Sequence, residues 1–377
     1  MENLGLIPGF WKGRKVLLTG HTGFKGSWMS LWLSRLGAEV TGYALPPETS
    51  PNMFGLVEIE KDLNSVIGDI RDYSSIESAV LHSQPEIIIH MAAQPLVRRS
   101  YREPLETLDT NIMGTANLLQ AARGAKGLRA VLVVTSDKCY DNKEREQGYR
   151  EDEPMGGHDP YSVSKGCTEL VTAAFRDSFF PPSRFEEHGV VIASARAGNV
   201  FGGGDWSEDR LIPDIVRAIE KKESVEIRHP EAVRPWQFVL EPLYGYLLLA
   251  QAMVKRGPSF GEGWNFGPDR EDEVAVRTVL SELKGIFGSE FNWKSDEKET
   301  PHEAGVLRLN TTKSRNQLEW SPRWNLKKGL EETARWYKAV LANPHAARSL
   351  SLELLEKYVI DGNRGENDYS RPLAVGV

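Results

Sequence analysis

Short apolar runs and stretches of helical periodicity alternate along the first half of the chain. Lys15-Val16-Leu17-Leu18-Thr19 reads as a strand, a glycine-rich turn follows over Gly20–Gly26, and the apolar spacing of Ser27–Leu36 predicts a helix. The pattern then repeats: a strand over Glu39–Leu45, another within Ser65–Asp72, a helix over about Ser74–His82, and the strand Ile87–His90. A helix is expected across Leu105–Arg123, a strand over Ala130–Thr135, a helix over Tyr161–Phe180 and a strand over Val190–Ala195. Strands that alternate with helices and are almost continuously β-branched imply a parallel sheet covered on both faces.

The expected fold class is therefore α/β, a Rossmann-type doubly wound parallel sheet, with a smaller, mixed C-terminal domain. After Ala195 the texture changes: Asn199–Trp206 is loop-like, and the later segments mix short strands, helices and tryptophans. Residues 12–195 are assigned to the dinucleotide-binding half, with 236–258 returning to it through a helix near Leu240–Lys255. Residues 196–235 and 259–342 form the substrate-binding half, and 343–377 a tail with one helical stretch, Ala346–Val359, before a polar end. Trp320 and Trp324 read as packing residues.

Ligands of such sheets sit beyond the C-terminal ends of the strands. Gly20, Asp69, Ala92-Ala93-Gln94 and Ser136 all fall at such ends. Strand, glycine turn and helix in succession are the context of a dinucleotide fingerprint, in which Gly20, Gly23 and Gly26 permit the turn, the approach of backbone to pyrophosphate and the close packing of the helix. The second strand runs into Tyr43-Ala44-Leu45-Pro46-Pro47, so no acid stands at its end to hold a ribose, and Glu48 is the nearest carboxylate. Between Lys25 and Lys61 the only basic residue is Arg35, inside the helix, so a site for the extra phosphate of NADP is not evident and NAD is favoured. Lys25 itself reads as a solvent-facing neighbour of the glycine loop.

In the helix that begins at Tyr161, the spacing Tyr161-x-x-x-Lys165 puts a phenol and an ammonium on one face. A free phenol titrates near about 10, so work as a base at neutral pH needs about 4 kcal/mol of preferential stabilisation of the phenolate. An ammonium about 5 Å away supplies about 3 kcal/mol at an effective dielectric near 20. The remainder is left for a second positive charge, such as an oxidised nicotinamide, or for a donor such as the Ser136 hydroxyl. Such pairs also occur on helices without chemistry, and it is the company of this one that gives it meaning.

The formal charge of -7, from 46 basic and 53 acidic residues, argues against a nucleic-acid partner. The longest apolar run, Leu243–Val254, is too short to span a bilayer, and the N-terminus lacks the pattern of a secretory signal. Two cysteines, Cys139 and Cys167, are too few for a disulfide framework or a thiolate metal site, so no metal is expected and a reducing cytoplasm is. The partner expected is a small molecule.

Several motifs in order carry a resemblance. Thr19-Gly20-x-x-Gly23-Phe24-x-Gly26, His90-x-Ala92-Ala93-Gln94, Asn111, Tyr161-x-x-x-Lys165, Arg196-x-x-Asn199, Arg234-Pro235-Trp236 and Asn265-Phe266-Gly267-Pro268 make the chain similar, over roughly Lys12–Val340, to the nucleotide-sugar 4,6-dehydratases of the extended short-chain dehydrogenase/reductase family. Most dehydratases of that family carry Asp-Glu after the strand that ends at Thr135; here the pair is Asp137-Lys138, which resembles the branch acting on CDP-glucose.

The resemblance implies NAD held by Gly20, Gly23, Phe24, Gly26, Ala92, Ala93, Gln94, Asn111, Tyr161 and Lys165, with Asp69 and Ile70 at the adenine. It implies Gln94, Ser136, Asn199 and Arg234 on the nucleotide sugar, Arg234 at its diphosphate. Tyr161 would take the proton of the 4-hydroxyl as hydride leaves carbon 4, Lys165 would lower the phenol and hold the ribose, Lys138 would remove the hydrogen of carbon 5, and Asp137 would protonate the departing 6-hydroxyl. A lysine must be neutral to act as a base, and an ammonium beside Asp137 opposes its acid role. The resemblance also implies a homodimer through the helices 105–123 and 161–180, and a place in deoxysugar and O-antigen precursor synthesis. His90 reads as structural and His302 stays open. A nucleotide-sugar 4-epimerase, a dehydratase of another nucleotide sugar, and a non-catalytic NAD-binding regulator remain as alternatives.

Overall fold

The computed structural model of the chain describes residues 6–7, 9–288, 291–295 and 306–368, the last six of these by backbone alone; His302 lies outside the described residues. Seven strands form one parallel sheet: β1 (Lys15–Thr19), β2 (Glu39–Ala44), β3 (Asn64–Ile67), β4 (Ile87–His90), β5 (Ala130–Val134), β6 (Val191–Ala197) and, after three intervening short strands, β10 (Gly263–Phe266). Their order is β10-β6-β5-β4-β1-β2-β3, so the chain reverses direction across the sheet between β1 and β4. A cleft at the C-terminal ends of the strands follows from that reversal.

The strands read in the sequence are there because both faces of the sheet are covered. All residues of β4 and β5 are buried, and a β-branched run that would be awkward in a half-solvated sheet is what such a strand requires. On one face pack the helices Tyr73–Ser83, Gly114–Ala122 and Pro160–Phe179; on the other pack Phe24–Arg35 and Leu240–Arg256. The last of these is buried from Leu240 through Met253, and that stretch is apolar on nearly every side, Glu241 and Gln251 being its buried polar members.

The intervening strands β7 (Asn199–Phe201), β8 (Val225–Ile227) and β9 (Val233–Phe238), with β11 (Glu273–Ala275) and β12 (Trp293–Ser295), build two small sheets, β11-β9-β7 and β12-β8. The segment expected to be loop-like at Asn199 thus contains a short strand, paired in parallel with β9 so that Asn199 stands opposite Trp236.

Two helices differ from expectation. The stretch expected as one helix over Leu105–Arg123 is Pro104–Leu108, a π-helical turn Asp109–Met113, and Gly114–Ala122. Near the C-terminus the helix runs Ala347–Asp368, extending past Val359 into the polar segment. Tyr358 anchors it, donating to Glu241 at 2.7 Å. Trp320 and Trp324 are buried packing residues, the former donating its indole N–H to the Glu241 carbonyl at 3.2 Å.

Candidate active site

The glycine turn is a backbone device. Gly20 has φ +78°, and a Cβ there would lie 2.8 Å from the Ala92 nitrogen; one on Gly26 would lie 2.0 Å from the Gly20 carbonyl oxygen. The turn therefore closes on the end of β4 and on the helix Phe24–Arg35, whose first turn has no side-chain cap. Uncapped N–H groups facing a cleft suit an anion such as a pyrophosphate. Beneath the turn, Thr19 Oγ1 bridges strands, accepting from the Met91 and Ala92 nitrogens at 3.1 Å each and meeting His90 Nδ1 at 2.7 Å. Burial, helped by the Lys165 charge, lowers His90 to about 3 and leaves it a neutral structural ring, with Thr115 on its other nitrogen at 3.0 Å. His21 is also held neutral, lowered to about 4 by burial, with Ser65 at 2.8 Å.

One cleft of about 1490 Å³ runs along the strand ends and gathers Gly20, Gly23, Phe24, Gly26, Asp69, Ile70, Ala92, Ala93, Ser136, Asp137, Lys138, Tyr161, Lys165, Asn199 and Arg234. Asp69 is gripped by Arg71, and the Asp69 carbonyl accepts from Tyr43 at 2.8 Å. Glu48, the carboxylate nearest the end of β2, pairs with Arg99 at 2.8 Å.

Gln94 and Asn111 do not line this cleft, contrary to expectation. The Gln94 amide turns inward, donating to Thr107 at 2.7 Å and accepting from the Leu96 nitrogen at 2.6 Å. Asn111, in the π-helical turn, accepts from the Gln94 nitrogen at 2.8 Å and donates to the Gln94 carbonyl at 3.1 Å and to Ser164 at 2.8 Å. The insertion that makes the turn aims this amide at a neighbouring loop and helix. Both residues position others.

Ser136 caps the single 3₁₀ turn Asp137–Cys139 that follows β5, accepting from the Lys138 nitrogen at 3.2 Å while its hydroxyl donates to Asp137 Oδ1 at 2.9 Å. Asp137 is buried, its Oδ2 has no hydrogen-bond partner among the described residues, and Lys138 Nζ lies 3.7 Å from Oδ1. Asn199 Oδ1 is likewise buried without a described partner. Unpaired buried acceptors are costly unless a ligand meets them.

Tyr161 and Lys165 come from the helix Pro160–Phe179, which Asp159 caps by accepting from the Ser162 nitrogen at 2.9 Å. Burial raises the Tyr161 phenol to about 12; a hydrogen bond with Ser136 and the charge of Arg210 pull it down, and Asp137 pushes it up. Lys165 is itself lowered to about 8 by burial, with Glu169 and Cys139 holding it up.

Sequence reasoning missed what lies one turn on. Glu169 is buried on the same helical face and accepts from Thr135, from Ser194 at 2.6 Å and from Arg196 at 2.8 Å. The 161/165/169 spacing was the available signal. Arg196 also donates to the Tyr140 phenol at 2.7 Å, which donates to Asn265 at 2.8 Å, so this pair braces the floor of the site. Lys25, expected to face solvent, lines the cleft and its ammonium donates to Tyr246 at 3.1 Å. Arg210, from the start of the helix Leu211–Lys221, was not singled out at all and nothing in its local sequence marks it. Cys139 is a buried thiol that burial pushes up, and no cluster of acidic, histidine or cysteine side chains suited to a metal occurs among the described residues.

The site can therefore offer a phenol and an ammonium beside a serine hydroxyl, and the Asp137 and Lys138 side chains at one strand end, facing one cleft of about 1490 Å³. The chain is similar to known proteins in sequence and in fold. The chain is 52% identical over 330 residues to the CDP-glucose 4,6-dehydratase of Salmonella typhimurium, covering 88% of this chain and 92% of that one. It superposes on the dTDP-glucose 4,6-dehydratase of Bacillus anthracis, solved in complex with NAD, with a TM-score of 0.70 at 20% identity over 87% and 97% of the two chains. With the UDP-glucose 4-epimerase of Thermotoga maritima, solved with UDP-glucose, the TM-score is 0.73 at 25% identity over 86% and 99%. Residues 17–333 match the sequence family described as GDP-mannose 4,6 dehydratase, and the chain belongs to that family, within the extended short-chain dehydrogenases/reductases.

Proposed function

We propose that the chain binds NAD and converts CDP-glucose to CDP-4-keto-6-deoxyglucose with loss of water. The observation that carries this reading is the Asp137–Lys138 pair, a buried carboxyl with an open oxygen and an amine 3.7 Å from its other oxygen, facing the same cleft as Tyr161. An epimerase has no need of that pair. The 52% identity to the Salmonella enzyme favours the CDP sugar over other nucleotides.

Bound NAD would supply the hydride acceptor for carbon 4 and the hydride donor for carbon 6. Tyr161, held against Ser136, takes the 4-hydroxyl proton. The 4-ketone so formed acidifies the hydrogen on carbon 5, which Lys138 removes while Asp137 Oδ2 gives a proton to the departing 6-hydroxyl, and the proton on Lys138 returns to carbon 5 as carbon 6 takes the hydride. Arg234 on β9 and Asn199 on the adjacent β7 are assigned to the diphosphate and sugar, a guanidinium matching phosphate in shape and charge. Gly20, Gly23, Gly26, Ala92 and Ala93 form the dinucleotide path, with Asp69 and Ile70 at its adenine end. In this reading 12–195 with 236–258 hold the dinucleotide and 196–235 with 259–342 the nucleotide sugar, except that β10 pairs with β6 and so belongs to the dinucleotide sheet.

A homodimer through the helices on one face of the sheet is part of the same reading. Leu105, Met113 and Leu170 are 80%, 52% and 60% exposed there, apolar side chains that a partner helix pair would cover. Light scattering of Leu105→Glu/Leu170→Glu should give a monomer where the parent chain gives a dimer. A cytoplasmic setting fits the two free thiols, and no helix among the described residues is long and apolar enough to cross a membrane.

The test of the reaction is to supply NAD with CDP-, dTDP-, GDP- or UDP-glucose and follow the 4-ketone. Turnover of the CDP sugar, lost in Asp137→Asn, supports the reading; turnover of another nucleotide alone removes the CDP assignment. An epimer formed without loss of water removes the dehydratase assignment.

A further inference from the structure

Asp209 has a left-handed backbone, φ +57°. Aspartate tolerates that region better than most side chains, and such strain persists where the surroundings hold it. Three guanidinium groups do so here. Asp209 Oδ1 accepts from Arg98 at 3.0 Å and from Arg228 at 3.1 Å, and Oδ2 lies 3.8 Å from Arg102, which also pairs with the adjacent Glu208. Arg98, Asp209 and Arg228 all line the cleft, and none of them takes part in the chemistry above.

The arginines come from separate parts of the fold. Arg98 and Arg102 stand on the short helix Val97–Arg102, which follows β4 of the seven-stranded sheet. Arg228 directly follows β8, which pairs with β12 outside that sheet. One carboxylate thus ties the two halves together at the cleft. Burial opposes its charge, but Arg98 and Arg228 outweigh burial and hold the carboxyl below its ordinary value, so the tether is ionised at neutral pH. Partly exposed ion pairs of this kind add little to stability, so their use lies in what they hold. A nucleotide sugar with its hexose at Tyr161 and Asp137 and its diphosphate at Arg234 carries its nucleoside farther along the same wall. Arg228 precedes Arg234 across a turn in which the Ala232 N–H donates to the His229 carbonyl at 3.2 Å, and it lines the cleft beside Glu226 and Ile227. A guanidinium carries five N–H groups, and Asp209 takes one of them.

We propose that Asp209 is a positioning residue for the substrate: anchored on Arg98 of the dinucleotide half, it fixes the Arg228 guanidinium in the cleft wall to receive the nucleotide end of the nucleotide sugar, without touching that ligand itself. This inference rests on the CDP-glucose reading above. Arg98, Arg102 and Arg228 against Glu208 and Asp209 are three positive charges against two negative, and the excess has the sign that a nucleoside diphosphate requires. Holding a long side chain in place beforehand spares the binding step the cost of ordering it. The effect therefore falls on substrate affinity and leaves the hydride and proton steps alone.

The test is steady-state kinetics with CDP-glucose and calorimetric titration with CDP and, separately, NAD, on the full chain as parent, Asp209→Asn, Arg98→Met and Arg228→Met. Asparagine keeps the tolerance for a left-handed backbone and an acceptor oxygen, and loses the charge. Asp209→Asn and Arg98→Met should each raise KM for CDP-glucose and Kd for CDP about tenfold, the scale of one charge-assisted hydrogen bond, with kcat and NAD affinity changed less than about twofold. Asp209→Asn/Arg228→Met should be no worse than Arg228→Met, since the first residue acts through the second. Additive effects of those two would mean that they act separately, and an unchanged KM in Asp209→Asn would mean an idle surface pair. A joint loss of kcat, NAD affinity and thermal stability would mean a brace of the fold. Each of these three results overturns the proposal. If thermal melting shows Asp209→Asn unfolded, Arg98→Met, which leaves the left-handed residue in place, carries the same expectation. A parent protein that left CDP-glucose unchanged would remove the CDP-glucose reading itself, a result distinct from an unchanged KM in a variant of an active parent.

Discussion

Asn111 donates its side-chain amide to the hydroxyl of Ser164 at 2.8 Å, and Ser164 donates in turn to the Tyr161 carbonyl at 2.7 Å. The other side of the same amide holds the Gln94 backbone, so one residue in a π-helical turn ties the loop after β4 to the helix that carries Tyr161 and Lys165. All these groups are buried. Asn111→Ala would strand the Gln94 N–H and carbonyl together, and a buried unsatisfied group costs about 1–3 kcal/mol. Denaturant unfolding of Asn111→Ala should show a loss of about 2–4 kcal/mol. In steady-state kinetics kcat should fall at least about tenfold with a smaller change in KM, because orientation and not substrate binding is disturbed. Unchanged stability would show that the clamp does not operate.

The Glu169–Arg196 pair makes a second, independent prediction. Arg196 is held well above its ordinary value by Glu169, and Glu169 below its own by Arg196 and by three hydrogen bonds, although burial opposes the charge of each. Removing one partner leaves a buried charge unpaired, which costs about 3–5 kcal/mol. Arg196→Met should therefore lower stability by about that much, while Glu169→Gln/Arg196→Met should recover part of it. A double variant no more stable than Arg196→Met would contradict this.

Stability should also fall in mild acid. His21 and His90 are held near about 4 and about 3 when folded, by burial in each case, while in the unfolded chain they titrate at their ordinary 6.5. The unfolded state then binds more protons below that value, so their contribution is fully present above about pH 6.5 and lost as pH falls toward the folded values. Each histidine should cost about 1.4 kcal/mol per pH unit in that window. Unfolding midpoints at pH 7, 6 and 5 measure it, and a flat profile would mean that these rings are protonated in the folded protein.

Much of the fold was legible because both faces of the sheet are covered, so Ile87–Ile89 and Ala130–Val134 had to be apolar throughout. The π-helical turn was not, since apolar periodicity runs through Asp109–Met113 without a break. At the site, the motifs located Ser136, Asp137, Lys138, Tyr161 and Lys165 at one cleft. They could not say which matching residues face a ligand and which face the scaffold. Gln94 and Asn111 turn inward because Thr107 and Ser164 are there to meet them, a matter of tertiary packing. Lys25 is turned from solvent toward the cleft because Tyr246, 221 residues away, accepts from its ammonium. The polar C-terminal segment stays helical beyond Val359, on a helix anchored by the contact of Tyr358 with Glu241.

The most direct test of the central claim is the fate of the hydrogen on carbon 4. With CDP-glucose deuterated at that carbon, the protein and NAD, mass spectrometry and NMR of the product would locate the label. Hydride moved within one active site during dehydration predicts a product lighter by one water, with the deuterium at carbon 6 and none in recovered NADH. Deuterium left in NADH, or a product that has lost no water, would contradict it.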